Sequence, residues 1–388
     1  MLYRILLSVF CFGATLAAIG AESLETRISS VVGDDNIGVA VITAWGDTVS
    51  VNGDKPFELQ SVVKFHQALA MAKTMTASEM LNTKVTYDAS DLKAGTWSPL
   101  RAVNKDGGTA DLSTLLYYSL RMSDNNAADI LFDRFLSPVQ VDSLLRSGTP
   151  AKNFGIARTE DDMHKDQRMS ADNWSTPLDC AGLFNYAFAE DTTASIAALR
   201  AVMASESAFG KSRLVKGIGN GTVFNKTGTG FEKDGKVSAL NDAAFVYFPH
   251  STGGFWHYSI AVFAADCAVE ETEEKIAEIS EIVWSYHVMR ANDIALNSMS
   301  VGGMSSGRAQ QAGSDGEVGI GHILGAAALA AIVVDEIVNR VNEYNSSYSD
   351  DDNSWSSGSN ASYGNPGRSK SSSPGSRSTS QRRRGNRK

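Results

Sequence analysis

The sequence predicts an α+β protein whose main sheet is built from both ends of the folded region. Apolar residues alternate over 37–41 and 49–51, on either side of the Gly46-Asp47 turn, which indicates an N-terminal hairpin. Further strand patterns occur at 222–229, 239–248 and 258–264. From about 61 to 199, helical segments alternate with polar connections. We therefore expect one sheet formed by the two chain ends, with a largely helical insertion between them.

The composition is that of a folded, acidic protein. Of the 388 residues, 43% are hydrophobic and 20% are charged, which is enough to bury a core and excludes a chain that is disordered throughout. The formal net charge is −9. This acidic balance argues against nucleic-acid binding by the folded region.

Residues 1–21 have the layout of a secretory signal peptide. Arg4 precedes an apolar run over 5–18, and the small residues Gly20 and Ala21 follow this run. The run is too short for a membrane-spanning helix. We therefore expect an exported, periplasmic protein from which this segment has been removed.

A serine that precedes a lysine by three positions opens the first helix of the insertion. Ser61 and Lys64 share one face of a predicted helix that continues to Leu69. The amides and dipole of a helix start favour a developing anion, so Ser61 is a candidate nucleophile. Ser90 and Lys93 have the same spacing in a polar stretch without a helical pattern, so the spacing alone has little weight.

Two further triplets strengthen the interpretation of the serine and lysine pair. They are Ser123-Asp124-Asn125 in the helical region and Lys226-Thr227-Gly228 on a predicted strand, followed by Thr229. Each triplet alone is a common helix cap or strand end. Three motifs in this order, each on a suitable element, make coincidence improbable.

The folded unit is expected to span residues 22–290. Its last helix is predicted from an apolar stripe of Ile276, Ile279, Val283 and Tyr286. Residues 291–388 form an extension rich in Gly, Ser and Arg, which we expect to be disordered. The extension contains an uncharged apolar run at 318–334 and a basic end at 368–388. The apolar run is a weak membrane anchor, an interaction helix or a plain linker helix. The basic end binds anionic lipid, nucleic acid or cell-wall polymer, or is a solvated tail.

The chain resembles the class A serine β-lactamases, within the penicillin-recognising enzymes, over about residues 37–287. Three more stretches match the family, namely Trp97-Ser98-Pro99, Asn126-Ala127-Ala128 and Arg158-Thr159-Glu160. Residues 60–66, and Glu160 followed by His164, are most similar to the extended-spectrum PER and CfxA branch. The resemblance implies a β-lactamase/DD-peptidase-like fold, in which helices flank an antiparallel sheet and form an all-α subdomain. It also implies hydrolysis of penicillins and cephalosporins through a serine acyl-enzyme.

The catalytic residues implied by the resemblance are Ser61, Lys64, Ser123 and Glu160. Ser61 attacks the lactam carbonyl, and its proton passes either to Lys64 or through a water to Glu160. Ser123, between Lys64 and Lys226, passes a proton to the leaving lactam nitrogen. Glu160 activates the deacylating water, and the backbone amides of Ser61 and Thr229 form the oxyanion hole.

The expected substrate-binding residues are Trp97, Asn125, Lys226, Thr227, Gly228, Thr229 and Arg213. Trp97 lies at the mouth of the site, and Asn125 hydrogen-bonds the substrate side-chain amide. Lys226, Thr227 and Thr229 bind the substrate carboxylate. Arg213 is an additional cation for that carboxylate, unless it is an ordinary surface arginine.

Two positions depart from the common family pattern. His164 replaces an asparagine that helps hold the deacylating water in many class A enzymes, although a packed loop histidine is the other interpretation. The residue that closes the loop against Arg158 is either Asp172 or Asn173, and with Asn173 the usual ion pair is missing.

Two alternatives to a lactamase share parts of this pattern. A penicillin-sensitive D-alanyl-D-alanine peptidase or transpeptidase, acting on peptidoglycan, has the three motifs but lacks the loop glutamate, so Glu160 favours the lactamase. A non-enzymatic surface protein with a decayed site is opposed by the intact motifs.

No metal or other cofactor is expected. The six histidines have neither His-x-His nor His-Glu-x-x-His spacing. Cys11 lies in the expected signal peptide, so Cys180 and Cys267 leave at most one disulfide. We expect a monomer whose partner is a small β-lactam molecule.

Overall fold

A computed structural model of the chain describes residues 22–204, 207, 212–249, 255–302, 338, 339 and 342. The expected signal peptide at 1–21 and the apolar run at 318–334 lie outside the described residues.

The strands of the described chain form one large sheet and two small ones. They are β1 (Ile37–Thr43), β2 (Thr48–Val51), β3 (Phe57–Glu58), β4 (Lys84–Asp88), β5 (Gly107–Asp111), β6 (Phe154–Gly155), β7 (Trp174–Ser175), β8 (Thr222–Thr229), β9 (Glu232–Lys233), β10 (Lys236–Pro249) and β11 (Phe255–Cys267). The large sheet has the order β2-β1-β11-β10-β8, and β9 pairs with β10. The small sheets are β3-β7-β6 and β4-β5.

The α-helices precede, separate and follow these strands. They are α1 (Leu24–Val32), α2 (Val63–Thr74), α3 (Ala77–Asn82), α4 (Pro99–Val103), α5 (Leu112–Arg121), α6 (Asn125–Arg134), α7 (Pro138–Gly148), α8 (Glu160–Lys165), α9 (Pro177–Asn185), α10 (Ala194–Ala204), α11 (Arg213–Lys216) and α12 (Val269–Gly302). Short 3₁₀ turns cover Gln60–Val62 and Gln167–Asp172.

The large sheet joins the two ends of the folded chain, as the sequence predicts. All its pairings are antiparallel, and β1 pairs with β11 so that Ile37 lies opposite Ala264. Helix α1 and the two small sheets are not anticipated by the sequence patterns. The strands β3, β6 and β7 have two residues each, which is too short for alternation of apolar and polar residues, so the sequence pattern does not predict them.

Both faces of the large sheet are covered, so its inner strands are buried almost continuously. One face packs against the helical insertion through an aromatic core that includes Phe65, Phe184 and Phe245. The other face packs against α1 and α12, where Ile279 and Val283 are fully buried. The predicted apolar stripe is therefore confirmed as the inner face of α12.

Helix α12 runs through the predicted end of the folded unit at residue 290. Ala291 of this helix is completely buried in the core. Within the described residues, no helix is both long enough and apolar enough to cross a membrane.

Candidate active site

Ser61 and Lys64 meet where the 3₁₀ turn Gln60–Val62 leads into α2. Lys64 lies in the first turn of α2 and is completely buried, and its Nζ lies 2.8 Å from Ser61 Oγ. The spacing of three residues on a helical path brings the two side chains together. An amine at this distance can take a proton from the hydroxyl or stabilise its alkoxide.

The Lys64 amine joins all four predicted catalytic residues. Its Nζ donates to the Ser123 backbone oxygen at 2.8 Å and lies 3.4 Å from Ser123 Oγ. The same nitrogen lies 2.6 Å from Asn125 Oδ1 and 3.0 Å from Glu160 Oε1. Residues more than 90 positions apart in sequence are thus gathered around one buried amine nitrogen.

Ser123 is held in a rare backbone conformation. Its φ of 52° lies in the left-handed region, which is unfavourable for residues with a Cβ atom. The next residue, Asp124, is fully buried and accepts hydrogen bonds from the backbone N–H groups of Leu100 and Ala127. Burial raises the pKa of Asp124 to about 6, although these hydrogen bonds favour its ionised form. Asp124 therefore anchors the strained serine between α4 and α6.

Lys226 reaches the site from the edge strand β8. Its Nζ lies 2.9 Å from Ser123 Oγ and 2.8 Å from the Thr227 backbone oxygen. Burial, and to a smaller extent the Lys64 charge, lower the pKa of Lys226 well below its ordinary value. Ser123 is therefore placed between two amines, and a lysine that loses its proton readily lies on one side of it.

Glu160 begins the short helix α8 and is buried to 7% exposure. Its backbone is held by Asp129 of α6, a residue that no sequence motif indicates. The two Asp129 oxygens accept the backbone N–H groups of Glu160 at 2.7 Å and of Asp161 at 2.8 Å. Burial, followed by the Glu160 charge, raises the pKa of Asp129 to about 8. Its sequence signal is an acidic residue within the short apolar stretch 127–132.

The loop that carries Glu160 is closed by both of the candidates left open by the sequence. Asp172 forms the ion pair with Arg158, at 2.7 Å between Asp172 Oδ2 and Arg158 Nε. Asn173 is completely buried, and its Oδ1 accepts the backbone N–H groups of Ala157 and Arg158. The ion pair is therefore present but exposed to solvent, while the asparagine closes the base of the loop.

His164 is exposed at the end of α8, so the interpretation as a packed loop histidine is wrong. A Cβ atom added to Gly95 would lie 3.7 Å from His164 Nε2. The imidazole therefore faces the segment that leads to Trp97, and not the protein core.

The residues predicted to bind substrate lie around this centre. Trp97 is 44% exposed, and its Nε1 donates to the Met122 backbone oxygen at 2.8 Å. Both polar atoms of the Asn125 side chain have partners within the protein. Nδ2 donates to Thr96 Oγ1 at 2.7 Å, and Oδ1 accepts from the Lys64 amine. Gly228 packs so tightly that an added Cβ would lie 2.5 Å from the Leu59 backbone oxygen.

Arg213 is buried to 3% exposure, so the alternative of a surface arginine is wrong. Its guanidinium donates to Gly228 O at 3.0 Å and to Thr229 Oγ1 at 2.7 Å. Arg213 also pairs with Glu273 at 3.0 Å. Arg213 therefore contacts the predicted substrate-binding residues through the Thr229 hydroxyl.

The second serine and lysine pair forms no comparable site. Ser90 lies in an exposed turn and donates to Asp88, while the Lys93 amine donates to the Ser90 backbone oxygen. Cys180 and Cys267 are both free thiols, so the one disulfide that the sequence allowed is absent. Among the described residues, no cluster of three His, Cys, Asp or Glu side chains has the arrangement of a metal site.

Comparison with known proteins identifies this arrangement. A model of the β-lactamase enzyme family matches residues 22–287. A β-lactamase from Phocaeicola vulgatus is 32% identical over 277 residues, which cover 68% of this chain and 83% of that protein. A crystal structure of a class A β-lactamase from Bacteroides cellulosilyticus is 32% identical, with a TM-score of 0.61 over 68% of this chain and 96% of that one. The chain belongs to the class A β-lactamases.

An extended-spectrum member shows the same relationship at greater distance. The β-lactamase PER-1 from Pseudomonas aeruginosa is 26% identical over 316 residues, which cover 76% of this chain and 100% of that protein. The resemblance drawn from the motifs is thereby confirmed for the class A β-lactamase family, and so is the expected fold.

Proposed function

We propose that this class A β-lactamase hydrolyses its substrates through an ester on Ser61. The observation that carries the proposal is the position of the Lys64 amine, 2.8 Å from Ser61 Oγ and 3.0 Å from Glu160 Oε1. One buried nitrogen thus connects a nucleophile to a carboxylate that can act as a general base.

In the acylation step, Ser61 Oγ attacks the lactam carbonyl carbon and the carbon–nitrogen bond of the ring breaks. The serine proton goes to Lys64, or through a water to Glu160, and the geometry is compatible with both bases. The developing oxyanion is stabilised by the backbone amides of Ser61 and Thr229, each of which contributes about 3–4 kcal/mol to transition-state stabilisation.

The leaving nitrogen receives its proton from Ser123. The hydroxyl of this residue lies 2.9 Å from Lys226 Nζ and 3.4 Å from Lys64 Nζ. The lowered pKa of Lys226, which burial causes, favours release of a proton toward Ser123. The Ser123 hydroxyl passes its own proton to the lactam nitrogen, and the Lys226 ammonium group reprotonates Ser123.

Deacylation requires a base that remains after the serine has been consumed. Glu160 suits this role because Asp129 fixes the backbone at the start of α8 while the Glu160 carboxylate faces Lys64. A water activated by Glu160 attacks the ester carbonyl and releases the opened product, and Ser61 takes its proton back. The substrate carboxylate is held by Lys226, Thr227 and Thr229.

The peptidase alternative is not favoured by any feature of the site. A test of both activities uses purified full-length protein with a chromogenic cephalosporin and with a peptide that ends in D-alanyl-D-alanine. Steady turnover of the cephalosporin without cleavage of the peptide is expected. Slow, stoichiometric acylation by the cephalosporin together with peptide cleavage would contradict the proposal.

Export to the periplasm, a monomeric state and weak surface association of the extension are also proposed, and they rest on the sequence alone. The signal-peptide pattern at 1–21 supports export, and the apolar and basic segments after residue 317 support surface association. Fractionation of cells that express the full chain, followed by sizing of the purified protein, tests all three. A cytosolic, uncleaved protein would refute export.

A further inference from the structure

Asp242 is a completely buried carboxylate that the catalytic steps above do not use. It lies in the middle of β10, opposite Thr227 of β8. Asn225 Nδ2 lies 3.0 Å and 3.3 Å from its two oxygens, and the Leu214 backbone nitrogen lies 3.2 Å from Oδ2. One carboxylate therefore ties α11 to the strand that carries Lys226.

The residue before Leu214 is Arg213, whose backbone is strained. Its φ of 48° lies in the left-handed region, which persists in residues with a Cβ atom only where surrounding contacts impose it. The hydrogen bond from the Leu214 amide to Asp242 holds the peptide immediately after this residue. In this conformation the Arg213 guanidinium reaches Thr229 Oγ1 at 2.7 Å.

An arginine beside a hydroxyl determines which way the hydroxyl points its hydrogen. Guanidinium groups only donate, so Thr229 Oγ1 accepts from Arg213 and its own hydrogen is directed elsewhere. Thr229 is the last residue of the edge strand β8 and is only partly buried. A hydroxyl with a free hydrogen at this position suits a bound anion.

We propose that Asp242 is a positioning residue for the substrate carboxylate. It holds the Leu214 amide and Asn225, keeps Arg213 against Thr229, and so directs the Thr229 hydroxyl hydrogen toward a carboxylate. The proposal rests on the carboxylate-binding role given above to the end of β8.

The charges around Asp242 favour its ionised form. Arg213 and Lys226 both act on it electrostatically, and Arg121 lies close enough to interact with it as well. Burial raises the pKa of Asp242 to about 6, so the group is mainly ionised above neutral pH. Among the described residues, Arg213 forms an ion pair with one other carboxylate, Glu273, which is one-third exposed, so that solvent screens its charge more strongly than that of Asp242.

The test uses Asp242→Asn in the full-length chain. An amide keeps the size of the carboxylate but offers one acceptor oxygen in place of two, and it removes the charge. The probes are two boronic acids that react with the nucleophilic serine. One carries a carboxylate at the separation found in a β-lactam, and the other lacks it. Inhibition constants at pH 7.5 and thermal unfolding are measured for each protein.

The substitution is expected to raise the inhibition constant of the carboxylated boronic acid about tenfold, because hydrogen bonds to charged groups are among the stronger ones. The inhibition constant of the boronic acid that lacks the carboxylate should stay within about twofold of its wild-type value. Ser280→Ala is the matched control, since Ser280 Oγ donates to Leu214 O at 2.7 Å and its loss loosens the same turn without touching Asp242. Both constants should stay within about twofold in this control.

Equal weakening of both inhibitors, or no change in a folded variant, would overturn the role of Asp242. If Asp242→Asn does not fold, Asp242→Ser, which is neutral and smaller, is measured in its place with the same expectation. Failure of wild-type protein to bind either boronic acid would instead refute Ser61 as the nucleophile, and the inference about Asp242 would fall with it.

Discussion

Replacement of Glu160 by glutamine should trap the acyl-enzyme. The amide cannot accept the proton of the deacylating water, whereas Ser61, Lys64 and Ser123 remain in place for acylation. The carboxylate has only 8% of its side chain exposed, so bulk solvent has poor access to supply a substitute base. General-base assistance contributes about 10² to 10⁴ in rate, which corresponds to ~3–5 kcal/mol of activation free energy. Deacylation should slow by that factor.

Intact-protein mass spectrometry after mixing with a penicillin measures the effect directly. Glu160→Gln should show a persistent adduct with the mass of the whole substrate, while wild-type protein should show little adduct during steady turnover. The matched control is Glu190→Gln, because Glu190 is an exposed carboxylate whose side chain accepts from Asn185. Its turnover should stay within about twofold of wild type.

Two results would refute this reasoning. A wild-type protein that accumulates the adduct stoichiometrically, with no further effect of Glu160→Gln, would favour a penicillin-sensitive peptidase. Slow turnover of Glu160→Gln without any adduct would show that Glu160 limits acylation, and that Lys64 alone is not a sufficient base.

Other perturbations test separate parts of the structure. Ser61→Ala should abolish hydrolysis of a chromogenic cephalosporin while Ser90→Ala leaves it nearly intact, and equal losses would contradict the motif assignment. Asp129→Asn should lower the free energy of unfolding by about 1–3 kcal/mol, because an amide can accept only one of the two loop N–H groups, and an unchanged melting temperature would contradict this. Burial lowers the pKa of His287 to about 4 from 6.5, so its stabilising contribution is present at neutral pH and is lost as the pH falls from 6.5 toward 4. Between pH 7 and pH 5, wild-type protein should therefore lose ~2 kcal/mol more unfolding free energy than His287→Phe. Urea titrations of both proteins at both pH values would measure this difference. Removal of 303–388 should leave kcat/KM within about twofold, since all residues of the proposed site precede it, and a tenfold fall would show that the extension affects the site.

The truncation point follows from the structure and differs from the boundary predicted by sequence. The sequence predicts the end of the folded unit near residue 290, because the composition shifts after Met289. Helix α12 continues to Gly302, and its residue Ala291 is completely buried. A cut after residue 290 would therefore remove a core residue.

The sequence by itself determined the order of the motifs and the strands that frame the fold. Alternation in β1 and β2, and the helical pattern after Ser61, are local properties of the chain. They depend on the side-chain directions of neighbouring residues, which a strand or helix imposes wherever it forms. Lys64 could therefore be paired with Ser61 before any contact was known, because three residues on a helical path bring the two groups together.

Only the tertiary structure decided which distant groups share a site and what surrounds each charge. Asp129 holds the backbone of Glu160, and Asp242 connects Asn225 to the turn at Arg213, although no spacing in the sequence relates these residues. Their roles arise from strand register and helix packing, which place side chains together regardless of their separation along the chain. Burial then sets the electrostatics, since a carboxylate removed from water is stabilised by the few donors and cations that the fold brings within reach.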